Sequence, residues 1–278
     1  EIQKKAIDAG LYAANIPEEF AGGGLDTLSW LLFEKELGRA NYALHWTCIA
    51  RPSNILCAGT PEQREKYLDP CIRGDTWDCL AMTEPEAGSD LRGMKATAKK
   101  DGDDWVLNGT KLWISGADRA DYGLVFARTG GAGRAGVTAF IVETDWPGFN
   151  VARVVHTLRS AKYATEIQID NLRVPHENIL GEEGGGFAIA NDRLARQRVP
   201  YAAECLGAAI KAHEMATEYS KIRETFGATL SARQGIQWML VENEIDIRAA
   251  RLLVLDAAAK SDNGLPFRTE SAIAKLVC

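Results

Sequence analysis

Between residues 79 and 182, short β-prone runs follow one another with only turn residues between them. Trp105-Val106-Leu107, Asn108-Gly109 and Lys111-Leu112-Trp113-Ile114 read as strand, turn and strand. Residues 122–127, 137–142 and 165–169 read as further strands. Asp101-Gly102-Asp103, Gly130-Gly131 and Pro147-Gly148 punctuate them. A parallel α/β unit needs a helix between strands, and these strands have none. The pattern predicts an antiparallel sandwich or barrel and excludes a Rossmann unit.

Helical stretches flank this zone. Leu31, Leu32, Glu34, Lys35, Glu36 and Leu37 are strong helix formers, with Gly38 as the expected stop. Thr60-Pro61-Glu62-Gln63 reads as a helix start, with a Thr cap and Pro at the first position. From Gly186 the chain is helical again, with a kink expected near Pro200. Trp238, Val241, Ile245, Leu252 and Leu255 have the spacing of a bundle seam. Asn263-Gly264 ends that helix, and another covers 270–277. The expected organisation is multidomain α and β: an N-terminal helical domain (1–78), a middle antiparallel β domain (79–182) and a C-terminal helical bundle (183–278). The first residue is Glu1 and the last, Cys278, follows a helix-like run. Both ends are expected to be cuts in a longer protein, which would leave the last bundle truncated.

Thirty-two basic residues against 38 acidic ones give a net charge of −6, which speaks against nucleic-acid binding. No apolar run approaches the roughly 18 residues of a membrane span. Cys48, Cys57, Cys71, Cys79, Cys205 and Cys278 form no CxxC pair and stand at no metal spacing with His. They read as reduced, mostly buried thiols of a cytosol-like compartment, and no metal site is expected. His45, His156, His176 and His213 lie on different segments without base–nucleophile spacing, and no GxSxG is present.

Three stretches carry chemistry. Leu80 to Asp90 leaves an apolar strand, turns at Pro85 and ends in the small tip Ala87-Gly88-Ser89. Such a tip suits an anion approaching backbone N–H groups, and Thr83 suits a flat heterocycle. It equally suits a plain structural turn capped by Ser89. Trp113-Ile114-Ser115 reads either as core or as the flank of an aromatic cofactor. Arg223-Glu224-Thr225-Phe226-Gly227 suits a phosphate and a stacked base. It also suits a dipole-favoured Arg followed by a Gly cap.

In this order the stretches resemble the acyl-CoA dehydrogenase family of flavoproteins. The resemblance rests on Ala81-Met82-Thr83-Glu84-Pro85 through Gly88-Ser89-Asp90, and on Asn108-Gly109-Thr110-Lys111-Leu112-Trp113-Ile114-Ser115. It extends through Val174-Pro175, Asn178-Ile179-Leu180-Gly181 and Gly184-Gly185-Gly186-Phe187 to Arg223–Gly227 with Gln234. It implies FAD held by the backbone at Leu80 and Met82, by Thr83, and by Gly88 and Ser89 at the pyrophosphate. Trp113 and Ser115 would flank the ring, and the family often has Thr where Ser115 stands. Arg223, Phe226 and Gln234 would reach the flavin of a neighbouring subunit. Ser89 and Arg198 would lie by the acyl-CoA substrate.

The implied reaction is α,β-dehydrogenation of an acyl-CoA to the 2,3-enoyl-CoA, as in fatty-acid β-oxidation. Electrons would pass to an electron-transferring flavoprotein. The implied assembly is a homodimer or homotetramer, and the implied compartment is the cytoplasm, or the mitochondrial matrix in a eukaryote.

The sequence departs from the family pattern at two places. The family's catalytic carboxylate lies on a segment expected C-terminal to Cys278. The alternative position on the earlier helix is Gln197, an amide that cannot act as base. Leu158 to Tyr163 also lacks the usual Ser-Asp-Thr run. Other readings of the same pattern are a flavin-dependent oxidase or monooxygenase of this fold, or a non-catalytic scaffold relative.

Overall fold

The computed structural model describes residues 1–40, 54–131, 133–157 and 164–278. Two compact units result. One comprises Glu1–Pro17, Gly23–Ile49 and Leu194–Cys278, the other Glu18–Gly22 and Ala50–Arg193.

The first unit is helical. Helix α1 is Ile2–Asp8 and α2 is Thr27–Arg39. The long α5 is Gly186–Ile222, of which the part from Leu194 belongs here, and α6 (Gln234–Asp262) and α7 (Arg268–Val277) follow. Leu31 of α2, Val199, Ala202, Ala203 and Leu206 of α5, Ile247, Ala250, Val254, Ala257 and Ala258 of α6 and Ala274 of α7 share one core. Six of these eleven are alanines, which lets the helices approach closely. Asp26 caps α2 by accepting from Ser29 N at 2.7 Å. Asp262, at the end of α6, accepts from Thr27 N at 2.8 Å and Leu28 N at 3.0 Å. Three otherwise orphan donors at the start of α2 are thereby satisfied.

Two helical expectations change. Gly38 lies inside α2 and does not end it, because α2 meets α5 backbone to backbone there. A Cβ on Gly38 would stand 2.0 Å from Glu204 O, and one on Gly207 would stand 1.9 Å from Lys35 O. In addition, the expected seam on α6 faces outward. Trp238, Val241, Ile245 and Leu252 are exposed and Leu255 alone packs against the core, while Ile247, Ala250 and Val254 are buried. The helical period was read correctly, but the large side chains mark the other face. Asn263 caps α6 as expected, and Gly264 takes φ +66°.

The second unit is built on an eight-stranded sheet in the order β6-β7-β3-β2-β4-β5-β8, with β1 paired to β4. The strands are β1 Asp78–Ala81, β2 Thr97–Asp101, β3 Asp104–Ser115, β4 Tyr122–Arg128, β5 Val137–Glu143, β6 Phe149–Val155, β7 Ala164–Pro175 and β8 Ile179–Leu180. The pairings are antiparallel except that β1 and, over one residue pair, β2 run parallel to β4.

Strands β4 and β5 are almost wholly apolar, Thr138 aside, because both of their faces are buried. Leu124, Phe126, Val137, Ala139 and Ile141 join one core with Ile55, Leu56, Tyr67 and Leu68. Val125, Ala127, Phe140 and Val142 join the other with Trp105, Leu107, Phe149 and Ile167. The helical cover of the first core starts at α3 (Pro61–Gln63), where Thr60 and Gln63 form a reciprocal capping box. It continues through a π turn (Arg64–Leu68) into α4 (Asp69–Arg73).

Asn108-Gly109 is not a hairpin turn, because β3 is one strand from Asp104 to Ser115. Its register against β7 shifts between Leu107 and Gly109. Gly109 sits at φ +153° with its Cβ position 2.6 Å from Ala96 Cβ, so the Asn-Gly signal marks a bulge where backbones crowd.

Candidate functional site

Strand β1 ends at Ala81, and the chain turns at once. Glu84 N donates to Ala87 O at 3.0 Å and Ala87 N to Glu84 O at 3.2 Å, closing a tight loop over Pro85-Glu86. Met82 is buried, Thr83 half-buried, and Gly88 and Ser89 exposed. A Cβ placed on Gly88 would meet nothing within 4 Å, so the tip opens onto free space. Asp90 caps the following turn through Arg92 N at 3.2 Å, and its carboxyl is held below its ordinary range by the Arg92 side chain.

The second stretch comes against the first. Leu112 N donates to Thr83 O at 2.9 Å. Leu112 and Ile114 both pair with β7, opposite Glu166 and Thr165, and Trp113 between them has no partner. Trp113 takes φ +63°, rare for an aromatic residue, and stands 55% exposed. This bulge swings the indole out of the core and beside the Thr83 loop. Ser115, exposed, is the last residue of the strand, and Thr165 Oγ1 donates to Ile114 O at 2.9 Å to steady the bulge. The Leu112 N to Thr83 O bond thus brings the strand that carries Trp113 and Ser115 against the Thr83 loop. Strained backbone in an exposed aromatic residue is a mark of functional sites.

Sequence reasoning attached no role to Lys111. It is fully buried, and its Nζ donates to Glu84 Oε1 at 2.8 Å and to Met82 O at 3.3 Å. Glu84 is buried too and accepts from Ala96 N at 3.0 Å and Lys95 N at 2.6 Å. Burial lowers Lys111 to about 8, with Glu84 opposing the shift. A signal existed: a lysine set among inward-facing apolar residues of one strand demands a buried acid.

In the helical unit, α5 and α6 are joined by a hairpin of β9 (Glu224–Thr225) and β10 (Ala228–Thr229). Its two central residues, Phe226 and Gly227, lie at φ +48° and +72°, as a type I′ turn requires. Phe226 is 98% exposed, with the Arg233 guanidinium over its ring at 5.7 Å. Arg223 precedes the hairpin and Gln234 opens α6, both exposed. Arg198 and Gln197 are half-buried on α5. His45, Cys48 and the 158–163 stretch lie outside the described residues. Among the described residues no cluster of His, Cys, Asp or Glu fits a metal ion, and no helix is long and apolar enough to cross a membrane.

The residues of the β unit suit a flavin. An exposed indole and hydroxyl flank an edge where backbone and Thr83 are offered, and an open small-residue tip carrying Ser89 suits a phosphate. Family models describe the acyl-CoA dehydrogenase N-terminal domain over residues 1–75, the middle domain over 79–172 and the C-terminal domain over 184–278. The mitochondrial short-chain specific acyl-CoA dehydrogenase of Mus musculus is 37% identical over 279 residues, with 98% of this chain and 68% of that protein covered. Butyryl-CoA dehydrogenase from Megasphaera elsdenii matches with a TM-score of 0.88 at 37% identity, over 99% of this chain and 74% of that one. A structure described as the electron transferring flavoprotein of Acidaminococcus fermentans matches with a TM-score of 0.89 at 37% identity and the same coverages. With likeness of this order along nearly its whole length, the chain belongs to the acyl-CoA dehydrogenase family.

Proposed function

We propose that the protein is an FAD-dependent oxidoreductase that removes the α and β hydrogens of a short acyl-CoA thioester. The observation that carries this reading is the Leu112 N to Thr83 O bond, which sets the Thr83 loop against the exposed Trp113 bulge. Met82 and Leu80 backbone, Thr83, Trp113 and Ser115 hold the ring. Gly88 and Ser89 hold the pyrophosphate, with Ser89 and Arg198 on the thioester side. Arg223, Phe226 and Gln234 serve the flavin of a second subunit in a homodimer or homotetramer. FAD, when bound, supplies the acceptor for the hydride lost from the β-carbon.

The three acids of the loop are not bases for the α-proton: Glu86 is paired with Lys95. Glu84 is engaged at both oxygens, and Asp90 is committed to Arg92. Gln197 has no proton-accepting charge. An electron-transferring flavoprotein is the proposed acceptor of the electrons, in line with the Acidaminococcus structure. The proposed compartment is the cytoplasm or a mitochondrial matrix, and the proposed domain division remains 1–78, 79–182 and 183–278.

The test is anaerobic. FAD-loaded protein is mixed with butyryl-CoA and the visible flavin absorbance is followed to its end point. Bleaching is expected to be slow, since none of these residues is assigned as the base, with no oxygen consumption in an aerobic parallel; fast bleaching would place a base within residues 1–278. Unchanged absorbance at saturating thioester overturns dehydrogenation, and rapid oxygen uptake points to an oxidase.

A further inference from the structure

We propose that the buried Lys111–Glu84 pair is the positioning device of the flavin site: it locks the Thr83 loop to the Trp113 bulge and so sets how tightly FAD is held. The inference rests on the flavin reading of residues 80–90 and 113–115. Lys111 Nζ reaches the residues on both sides of Thr83, namely Met82 O at 3.3 Å and Glu84 Oε1 at 2.8 Å. The next residue along β3, Leu112, donates to Thr83 O itself. Three consecutive loop residues are thus tied to two consecutive strand residues. Glu84 carries the clamp onward, taking Lys95 N and Ala96 N at the foot of β2.

The bulge that exposes Trp113 begins directly after Lys111 and Leu112. A buried ion pair is a poor way to gain stability, since desolvation offsets most of its attraction. Five hydrogen bonds converging on one loop are a good way to hold a single geometry. Neither side chain is open to solvent, so neither is offered as a catalytic group: Lys111 is 0% exposed and Glu84 5%.

The variants are Lys111→Met, which keeps the stem, and the double variant Lys111→Met/Glu84→Gln, which leaves no buried charge uncompensated. Apo-protein melting, FAD titration and the visible spectrum of bound flavin are measured on each. Lys111→Met is expected to lower the melting temperature. The double variant should recover much of that loss, yet bind FAD at least about tenfold more weakly than wild type, with an altered flavin band. A merely structural pair would show the opposite split. Wild-type affinity and spectrum in the double variant would overturn the proposal.

A third arm needs no mutation. The charged groups around Lys111 are Glu84 and, beyond it, Lys95, which pairs with Glu86. Wild-type Kd for FAD should rise several-fold between about pH 7 and about pH 9, as Lys111 loses its proton. A flat wild-type profile counts against the clamp. Failure of wild-type protein to bind FAD at any pH would instead overturn the flavin reading itself.

Discussion

Cys57 shows how burial governs a single group. It is half-buried, and desolvation pushes its thiol up to about 11. At neutral pH its thiolate fraction should therefore be about a hundredfold below that of an ordinary thiol. Cys71 and Cys79 are buried and displaced further in the same direction. Among the five described cysteines, all free, only Cys205 is exposed. Iodoacetamide at pH 8 is expected to label Cys205 first, with Cys57 labelled only slowly. Mass spectrometry of the alkylated peptides checks the order, and prompt labelling of Cys57 would contradict it.

Glu143 gives the acid counterpart. It takes Lys66 Nζ at 2.6 Å and Tyr67 OH at 3.0 Å, and the Lys66 bond holds its carboxyl below the ordinary range. A carboxylate lowered in the fold adds stability above its unfolded pKa and loses it as pH falls through the folded value. Glu143→Gln should cost about 0.5–1 kcal/mol at pH 7, since Lys66 is largely exposed, and the difference should be smaller at about pH 3, as pH falls through the lowered folded value. Urea melts of both proteins at the two pH values read this directly.

At the scale of elements, the contact between α2 and α5 depends on Gly38 and Gly207. Each stands where a Cβ would strike the other helix's backbone, which cannot yield as a side chain can. Gly38→Ala gains helix propensity of about 1 kcal/mol, yet should destabilise the helical unit by about 1–3 kcal/mol net. Thermal unfolding followed by circular dichroism checks the sign, and an unchanged or higher melting temperature would show that the helices slide apart at little cost. The β3 bulges work by a similar logic. Asn108-Gly109 lets the strand pass Ala96, and Trp113 turns outward, so one twelve-residue strand both builds the core and presents the site.

For the whole molecule, the hairpin carrying Phe226 matters most. A phenylalanine 98% exposed at a turn tip, with Arg223 and Gln234 exposed beside it in sequence order, is a group presented for something outside its own unit. If that something is the flavin of a second subunit, Arg223→Ala should weaken FAD binding by about 1–3 kcal/mol, the scale of a charge-assisted hydrogen bond. Fluorescence titration of the apo-protein with FAD measures it. Equal Kd values in variant and wild type would remove Arg223 from the site.

The alternation of helical, β and helical zones was legible in the residues, because periodicity and turn chemistry are local. The Thr60 cap, the strands 122–128, 137–143 and 164–175 and the end of α6 at Asn263 needed nothing more. The motif stretches 80–90 and 108–115 were also visible, as unusual residues in unusual order. What the tertiary structure decided were the matters in which one backbone meets another. Gly38 reads as a stop until α5 lies against it, and Asn-Gly reads as a hairpin until Ala96 crowds it. The large residues of α6 read as a seam, yet the alanine face is the one that packs. Lys111 carries no role in the sequence reading until the loop after β1 brings Glu84 to 2.8 Å from it. Helical and strand periods follow from the bond geometry of a few neighbouring residues. Which face is buried, and which charge finds a partner, depends on segments tens of residues away, and only the folded chain brings those together.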